Sequence, residues 1–134
     1  MINLNGPMPI DEFMSFIIPY YYANNKVFGA KGDFITAPEI SQMFGEIVGI
    51  WCANKWLSGD KASFSLVEIG GGNGTLMADL LRGTRHIEGF HDAIQTIHMV
   101  ETSPELQDRQ RNALSGYNVQ AHWDLSTLPQ EPVM

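Results

Sequence analysis

The feature that most constrains this chain's fold is a run of glycines between a strand-like segment and a helix-like segment. Residues 64–69 (FSLVEI) predict a short β-strand, and residues 70–74 (GGGNG) follow it directly. The next segment, TLMADLLR, spaces its apolar side chains as an amphipathic helix does, and Gly83 is expected to end that helix. Glycines let a chain turn sharply out of a strand and let its backbone approach a ligand closely. The pattern therefore predicts a strand, a ligand-binding loop and a helix in succession.

The rest of the chain continues this alternation. Residues 96–100 predict a second strand, residues 103–114 a second helix and residues 117–122 a third strand. The order βαβαβ is typical of the first half of a doubly wound α/β sheet. Residues 1–60 are predicted to form a helical N-terminal extension, and residues 61–134 a partial Rossmann-like domain.

Two helices are predicted in the N-terminal extension. The first covers residues 9–18 and is expected to end at Pro19. The second is expected to run from Thr36 to about Leu57. Thr36 and Glu39 have the spacing of a capping box, in which each side chain binds the backbone N–H of the other residue. The buried face of this helix is expected to be an apolar stripe formed by Ile40, Met43, Phe44, Ile47, Val48 and Trp51.

The glycine loop indicates a nucleoside-containing ligand, and two ligand classes compete for it. Free backbone N–H groups and a partial positive charge at the following helix start favour an anionic group. Dinucleotide loops read G-x-G-x-x-G/A, but Thr75 occupies the third small position. The pattern present is E-x-G-x-G-x-G, from Glu68 to Gly74. Glu101 follows the second strand, where a carboxylate can accept hydrogen bonds from both ribose hydroxyls, so it supports a nucleoside without deciding between the classes.

Charge and cysteine content argue against several other functions. The net charge is −7 and the basic residues are scattered. Non-specific electrostatic binding to nucleic acid or to an anionic membrane is therefore not expected. Cys52 is the single cysteine, so no internal disulfide can form, a zinc site is not expected and a reducing compartment is favoured. No apolar stretch reaches the roughly 18 residues that a membrane-spanning helix needs. The N-terminus does not have the pattern of a secretory signal.

Three segments resemble the MidA-like methyltransferases. Residues 32–46 (GDFITAPEISQMFGE) are very similar to that family's signature. Residues 66–82 (LVEIGGGNGTLMADLLR) look like its cofactor loop and helix, and residues 100–106 (VETSPEL) resemble its second cofactor segment. The family includes a mitochondrial arginine methyltransferase that acts in the assembly of respiratory complex I.

The resemblance implies a Rossmann-like class I methyltransferase fold, S-adenosylmethionine as methyl donor and a protein arginine as acceptor. The loop would wrap the methionine part of the donor, with Glu68 near its amino group. The signature would place Asp33, Thr36 and Glu39 beside the donor pocket. A turn at Asp33 and the capping box explain the same residues without a ligand, so both interpretations stay open. The expected donor-binding residues are Glu68, Gly70, Gly72, Gly74, Glu101, Thr36 and Glu39. No metal ligand is expected, and no catalytic residue is assigned.

Chains of this family continue from about Pro132 into a fourth strand and beyond. This sequence is therefore expected to be an N-terminal portion that carries a donor-binding half-site. Because a first strand without its fourth-strand neighbour exposes an apolar edge, copies are expected to self-associate through the incomplete sheet. A non-catalytic donor-binding or assembly module is the alternative to an enzyme. The expected location is a bacterial cytoplasm or the mitochondrial matrix.

Overall fold

A computed structural model describes residues 6–24, 35–130 and 132–134 of the chain. Three strands form a parallel sheet in the order β1-β2-β3, namely β1 (Phe64–Ile69), β2 (Ile94–Val100) and β3 (Val119–His122). The helices are α1 (Ile10–Asn24), α2 (Ala37–Ile40), α3 (Gln42–Ser58), α4 (Thr75–Thr84), α5 (Phe90–Ala93), α6 (Pro104–Ala113) and a short 3-10 helix (Leu125–Thr127). The predicted βαβαβ order is confirmed.

The sheet carries the glycine loop at its carboxyl end. The strand predicted over residues 64–69 is confirmed at both ends. Strand β2 begins at Ile94, two residues before the predicted start at residue 96. Ile94 pairs with Phe64, and the register of the two strands shifts between Phe64 and Leu66. Strand β3 begins at Val119, where its ladder with Ile97 starts. The parallel register brings the ends of all three strands, and the loops that follow them, to one edge of the sheet.

The last residues of the chain lie against β1. The N–H of Ser65 donates to the carbonyl of Pro132 at 2.9 Å, and the N–H of Met134 donates to the carbonyl of Ser65 at 2.9 Å. Val133 forms a parallel bridge with Ser65. A fourth strand position therefore exists on the side of β1 away from β2. The expectation of an unpaired β1 edge is wrong for this stretch, because the chain's own residues occupy it.

The core lies between the sheet and the helices packed on it. Its largest buried side chains are Trp56, Phe64, Leu66, Met77, Leu80, Leu81, Phe90, Ile97, Met99 and Leu114. The ring of Phe90, fully buried, has its centroid 5.7 Å from that of Trp56 and 5.5 Å from that of Phe64. This aromatic cluster joins α3, β1 and α5, so it fixes the long N-terminal helix to the sheet.

Helix α3 packs on α4 through small side chains. Its buried residues are Gly45, Gly49, Cys52, Ala53 and Trp56. A Cβ added to Gly45 would lie 2.5 Å from the Cβ of Asp79, so the two helices approach more closely than larger side chains permit. The predicted apolar stripe is wrong as the buried face, because Met43, Ile47 and Trp51 are 62%, 58% and 57% exposed.

Three predicted helix boundaries are also wrong. Helix α1 continues through Pro19, because a proline removes one backbone hydrogen bond without preventing helical dihedral angles. The long helix is broken at Ser41, whose extended backbone (φ −150°, ψ 123°) separates α2 from α3. The hydroxyl of Ser41 caps α3 by accepting from the N–H of Met43 at 3.3 Å. Helix α4 continues past Gly83, which packs against α3.

Within the described ranges, no helix has the length and apolar character that crossing a membrane requires. The same ranges contain no group of three or more His, Cys, Asp or Glu side chains placed to hold a metal ion.

Candidate functional site

A cavity of about 270 Å³ opens beside the glycine loop, at the carboxyl end of β1. Its lining comes from the end of β1, the loop with the first turn of α4, and the segment around α2. The lining residues are Thr36, Pro38, Glu39, Glu68, Ile69, Gly70, Gly71, Gly72, Asn73, Thr75 and Leu76. Ligands of open α/β sheets bind outside the carboxyl ends of the strands, so the cavity lies where this fold places a ligand.

The backbone of the loop adopts conformations that favour glycine. Gly70, Gly72 and Gly74 have φ angles of 68°, 53° and 83°. The N–H of Gly70 donates to the carbonyl of Val100 at 2.8 Å, which joins the ends of β1 and β2. Gly74 is the N-cap residue of α4. A branched side chain at these positions would strain the loop, because L-residues rarely adopt such φ angles.

Glu68 contributes a partly buried carboxyl group to the cavity lining. Burial raises the pKa of this carboxyl to about 7, and a hydrogen bond from the backbone N–H of Met77 acts in the opposite direction. Among the described residues, its Oε2 is buried without a hydrogen-bond partner. A buried carboxylate oxygen without a partner is costly, so the site favours a cationic or hydrogen-bond-donating ligand group here.

Glu39 contacts the glycine loop from the other side of the cavity. Its Oε1 accepts hydrogen bonds from the hydroxyl of Thr75 at 2.7 Å and from Nδ2 of Asn73 at 3.1 Å. The predicted capping box is therefore wrong: Thr36 makes no side-chain cap, and Glu39 reaches forward to the loop instead of back to Thr36. The Glu39 carboxylate therefore connects the segment around α2 to the glycine loop and the start of α4.

Helix α6 is hydrogen-bonded to the glycine loop through Arg109. Asn73 Oδ1 accepts from Nη1 of Arg109 at 2.9 Å, and Arg109 also pairs with Glu105 at 2.5 Å. The Asn73 amide therefore links the Glu39 carboxylate to the Arg109 guanidinium. This arrangement places one polar side chain of the loop between an anion and a cation from two different helices.

Glu101 lies at the end of the neighbouring strand. It is buried, 8% exposed, and its Oε1 accepts from the N–H of Ser103 at 2.9 Å. Its own N–H donates to the carbonyl of His122 at 2.9 Å. Ser103 is the N-cap of α6, and its hydroxyl accepts from the N–H of Leu106. The Glu101 carboxylate is thus fixed in direction by the start of α6.

The predicted donor-binding residues fall into two groups in the structure. Those that line the cavity beside the glycine loop are Thr36, Glu39, Glu68, Gly70 and Gly72. Gly74, the last residue of the loop, packs against α6, and Glu101 follows β2 outside the cavity lining. Asp33 lies outside the described residues. The role of each in donor binding stays a prediction.

Sequence reasoning missed the residues that hold in place the glycine loop, the start of α4 and Glu101 after β2. These are Asn73, Thr75, Arg109, Gln107 and Gln110. Nothing in the local pattern distinguishes Asn73, Thr75 or Arg109 from solvated polar residues. The two glutamines do carry a signal, since they fall on the same helical stripe as buried Leu106 and Leu114, where polar residues are uncommon.

Residues 47–134 match the model of a family described as "Putative S-adenosyl-L-methionine-dependent methyltransferase". That match covers more than half of the chain. The chain belongs to this family. The resemblance to the MidA-like methyltransferases, the Rossmann-like fold and the choice of S-adenosylmethionine over a dinucleotide are confirmed at the level of the family.

Curated relatives agree with this assignment. The chain is 40% identical over 129 residues to the mitochondrial protein arginine methyltransferase NDUFAF7 of Xenopus laevis, covering 92% of this chain and 30% of that protein. It is 46% identical over 110 residues to the mitochondrial NDUFAF7 homolog of Drosophila melanogaster, covering 78% of this chain and 25% of that protein. The chain therefore spans about 30% or less of the length of these relatives.

A solved structure supports the fold along almost the whole chain. A candidate methyl transferase from Burkholderia thailandensis, bound to S-adenosylhomocysteine, superposes with a TM-score of 0.77 at 25% identity. The superposition covers 98% of this chain and 37% of that one. The helical N-terminal residues and the partial sheet thus correspond to part of a methyltransferase-like fold.

Proposed function

We propose that this chain binds S-adenosylmethionine in the cavity beside the glycine loop and forms the donor-binding part of a methyltransferase. The observation that carries the proposal is the Glu68 carboxyl at the start of E-x-G-x-G-x-G, whose Oε2 is buried at the cavity and has no hydrogen-bond partner among the described residues. The donor's amino group is a cationic hydrogen-bond donor of the kind that this oxygen lacks. Membership of the family and the S-adenosylhomocysteine bound by the Burkholderia protein support the same ligand.

The site residues would hold the two ends of the donor. Glu68 would pair with the amino group, and the backbone of Gly70 and Gly72 would approach the methionine part closely. Glu101 would accept the ribose hydroxyls at the end of β2, with one of its oxygens already oriented by the N–H of Ser103. Thr36 and Glu39 would bound the pocket, with Glu39 acting through its bonds to the loop.

We further propose that the complete protein transfers a methyl group to a protein arginine. S-adenosylmethionine supplies a methyl group activated by its positively charged sulfur. The residues of this chain orient that donor and shield it from water. An arginine acceptor needs carboxylates that hold its guanidinium and accept its proton, and no described residue is assigned to that task. The relatives' names support the acceptor, and they support a mitochondrial location more directly than a bacterial cytoplasm. A role in complex I assembly follows from the family resemblance alone.

The second candidate function is a donor-binding or assembly module without methyl transfer. It keeps the donor site and needs no acceptor site, and no described residue is assigned to an acceptor. The two functions share the donor site and differ only in the acceptor. Transfer of a labelled methyl group to a protein arginine, by the chain supplied with the rest of a full-length relative, distinguishes them.

Calorimetric titration with S-adenosylmethionine and with S-adenosylhomocysteine tests the donor site. Gly72→Val should abolish binding, because Gly72 has a φ of 53° in the loop that surrounds the ligand. Gly116→Val is the matched control, since Gly116 also has a positive φ of 103° and no atom within 4 Å of an added Cβ. Its binding should be retained. Absence of binding by the unaltered chain at millimolar ligand would contradict the proposed donor site.

A further inference from the structure

Two buried glutamines on α6 reach the two halves of the candidate site. Gln107 and Gln110 are 4% and 1% exposed. Nε2 of Gln107 donates to the carbonyl of Glu101 at 2.7 Å, and Nε2 of Gln110 donates to the carbonyl of Gly72 at 2.9 Å. One carbonyl belongs to the acidic residue at the end of β2, and the other to the glycine loop that follows β1. A single helix therefore holds both.

Burying these two amide groups reduces the stability of the fold. Their hydrogen bonds to the two carbonyls are what the side chains contribute in return. Both lie on a stripe with Leu106 and Leu114, where an apolar side chain would fill the space without a polar group to satisfy. Within the described part of the chain, Oε1 of Gln110 is buried and has no hydrogen-bond partner. That unpaired acceptor destabilises the fold, and the N–H donated to Gly72 is what the side chain contributes in return.

The surrounding contacts make α6 a rigid reference for both carbonyls. A Cβ added to Gly74 would lie 3.2 Å from Cα of Gln110, so the loop rests directly on the helix backbone. At the other end, the N–H of Ser103 orients the Glu101 carboxylate at 2.9 Å. The two glutamines are three residues apart, and side chains at that spacing lie on one face of a helix.

We propose that Gln107 and Gln110 are positioning residues that set the separation between the methionine side and the ribose side of the donor site. Gln110 holds the methionine side through the Gly72 carbonyl, and Gln107 holds the ribose side through the Glu101 backbone. This inference rests on the proposed function, because the two sides are defined by the donor. Neither glutamine lines the cavity; each acts through the backbone of a residue that we assign to donor binding.

The test exchanges each amide for an apolar side chain of similar size. Gln110→Met and Gln107→Met are matched variants, since both change a buried glutamine on the same face of the same helix. Affinities for S-adenosylhomocysteine and for adenosine are measured by calorimetry. Gln110→Met should weaken S-adenosylhomocysteine about tenfold, as expected for one lost buried hydrogen bond, and leave adenosine nearly unchanged. Gln107→Met should weaken both ligands by about the same tenfold factor, because both contain the ribose.

For Gln110→Met, the ratio of the two affinities separates positioning from simple support of the fold; for Gln107→Met, which should weaken both ligands equally, hydrogen exchange makes this distinction. Loss of folded protein lowers both affinities by the same factor, so an unchanged ratio in Gln110→Met overturns the inference. Hydrogen exchange in the unliganded protein gives a second readout. Exchange should accelerate at residues 72–75 in Gln110→Met and at residues 101–103 in Gln107→Met, and equal acceleration at both segments would also contradict it. If the unaltered chain binds neither ligand, the proposed function itself fails; if it binds both and the ratio is unchanged, only this inference does.

Discussion

The carboxyl group of Glu68 gives the candidate site a dependence on pH. Because burial raises its pKa to about 7, this group is largely protonated at pH 6 and largely ionised at pH 8. Only the ionised form can pair with the positive charge of an amino group. Binding of a ligand with an amino group therefore favours the ionised form and releases a proton below pH 7.

We expect the affinity for S-adenosylhomocysteine to rise about tenfold between pH 6 and pH 8, following the ionised fraction of Glu68. Calorimetry in buffers with different ionisation enthalpies should show proton release at the lower pH. Adenosine lacks the amino acid part and serves as the control ligand, with an affinity that does not follow this titration. A Glu68→Gln variant should lose the pH dependence, and a variant that keeps it would assign the effect to another group.

Residue types at the site were predictable, whereas their partners were not. E-x-G-x-G-x-G indicates where the loop lies, because it stands between a strand-like segment and a helix-like segment. Glu39 shows the limit of such reasoning. Its distance from Thr36 fits a capping box, yet its carboxylate binds Thr75 and Asn73, which are distant in sequence. Local spacing cannot reveal a competing partner that the fold brings closer.

At the scale of elements, the contact between α3 and α4 depends on the absence of side chains. A Cβ added to Gly49 would lie 2.7 Å from the carbonyl oxygen of Leu80 and 3.1 Å from its Cα. Backbone atoms cannot move aside as the end of a side chain can. The two helices would therefore have to separate, and the aromatic cluster around Phe90 beneath them would loosen.

Gly49→Ala should reduce the free energy of unfolding by about 1–3 kcal/mol, the usual range for overpacking, after a smaller gain in helix propensity. Gly59→Ala is the control at the end of the same helix, where the nearest atoms to an added Cβ are 3.5 and 3.6 Å away. It should change stability by less than about 0.5 kcal/mol. Urea denaturation of both variants measures the difference, and equal stabilities would mean that the helix contact is not tight.

The same contact explains why the buried face of α3 was mispredicted. Apolar periodicity selects the largest side chains, and in α3 these include Met43, Ile47 and Trp51, which are exposed. Glycine and alanine carry almost no hydrophobic signal, although close helix packing selects them. The strand limits of β1 were predictable because a short, largely apolar segment and the glycines that end it act within a few residues. The helix packing was not, because it depends on α4, a separate segment of the chain.

At the scale of the whole molecule, the strand order and the position of the glycine loop follow from the βαβαβ pattern, but the state of the sheet edge does not. Residues 132–134 bond to β1 through the carbonyl of Pro132 and the N–H of Met134. In a strand, successive residues direct their backbone groups to opposite sides, so the N–H and carbonyl of Val133 point away from β1. In the part of the chain that the structure describes, no strand lies on that side.

We therefore expect copies of this chain to associate through the outer edge formed by residues 132–134, since unpaired strand edges recruit other strands. Analytical ultracentrifugation over a wide concentration range should show a mass above that of the monomer. Val133→Pro removes the outward N–H while leaving the bonds to β1 intact, so it should shift the equilibrium toward monomer. Val133→Thr keeps the N–H and the branched shape, and its association should match that of the unaltered chain. A monomer at every concentration would contradict the prediction. If the chain associates and Val133→Pro leaves that association unchanged, the contact lies on another surface, such as the exposed apolar face of α3.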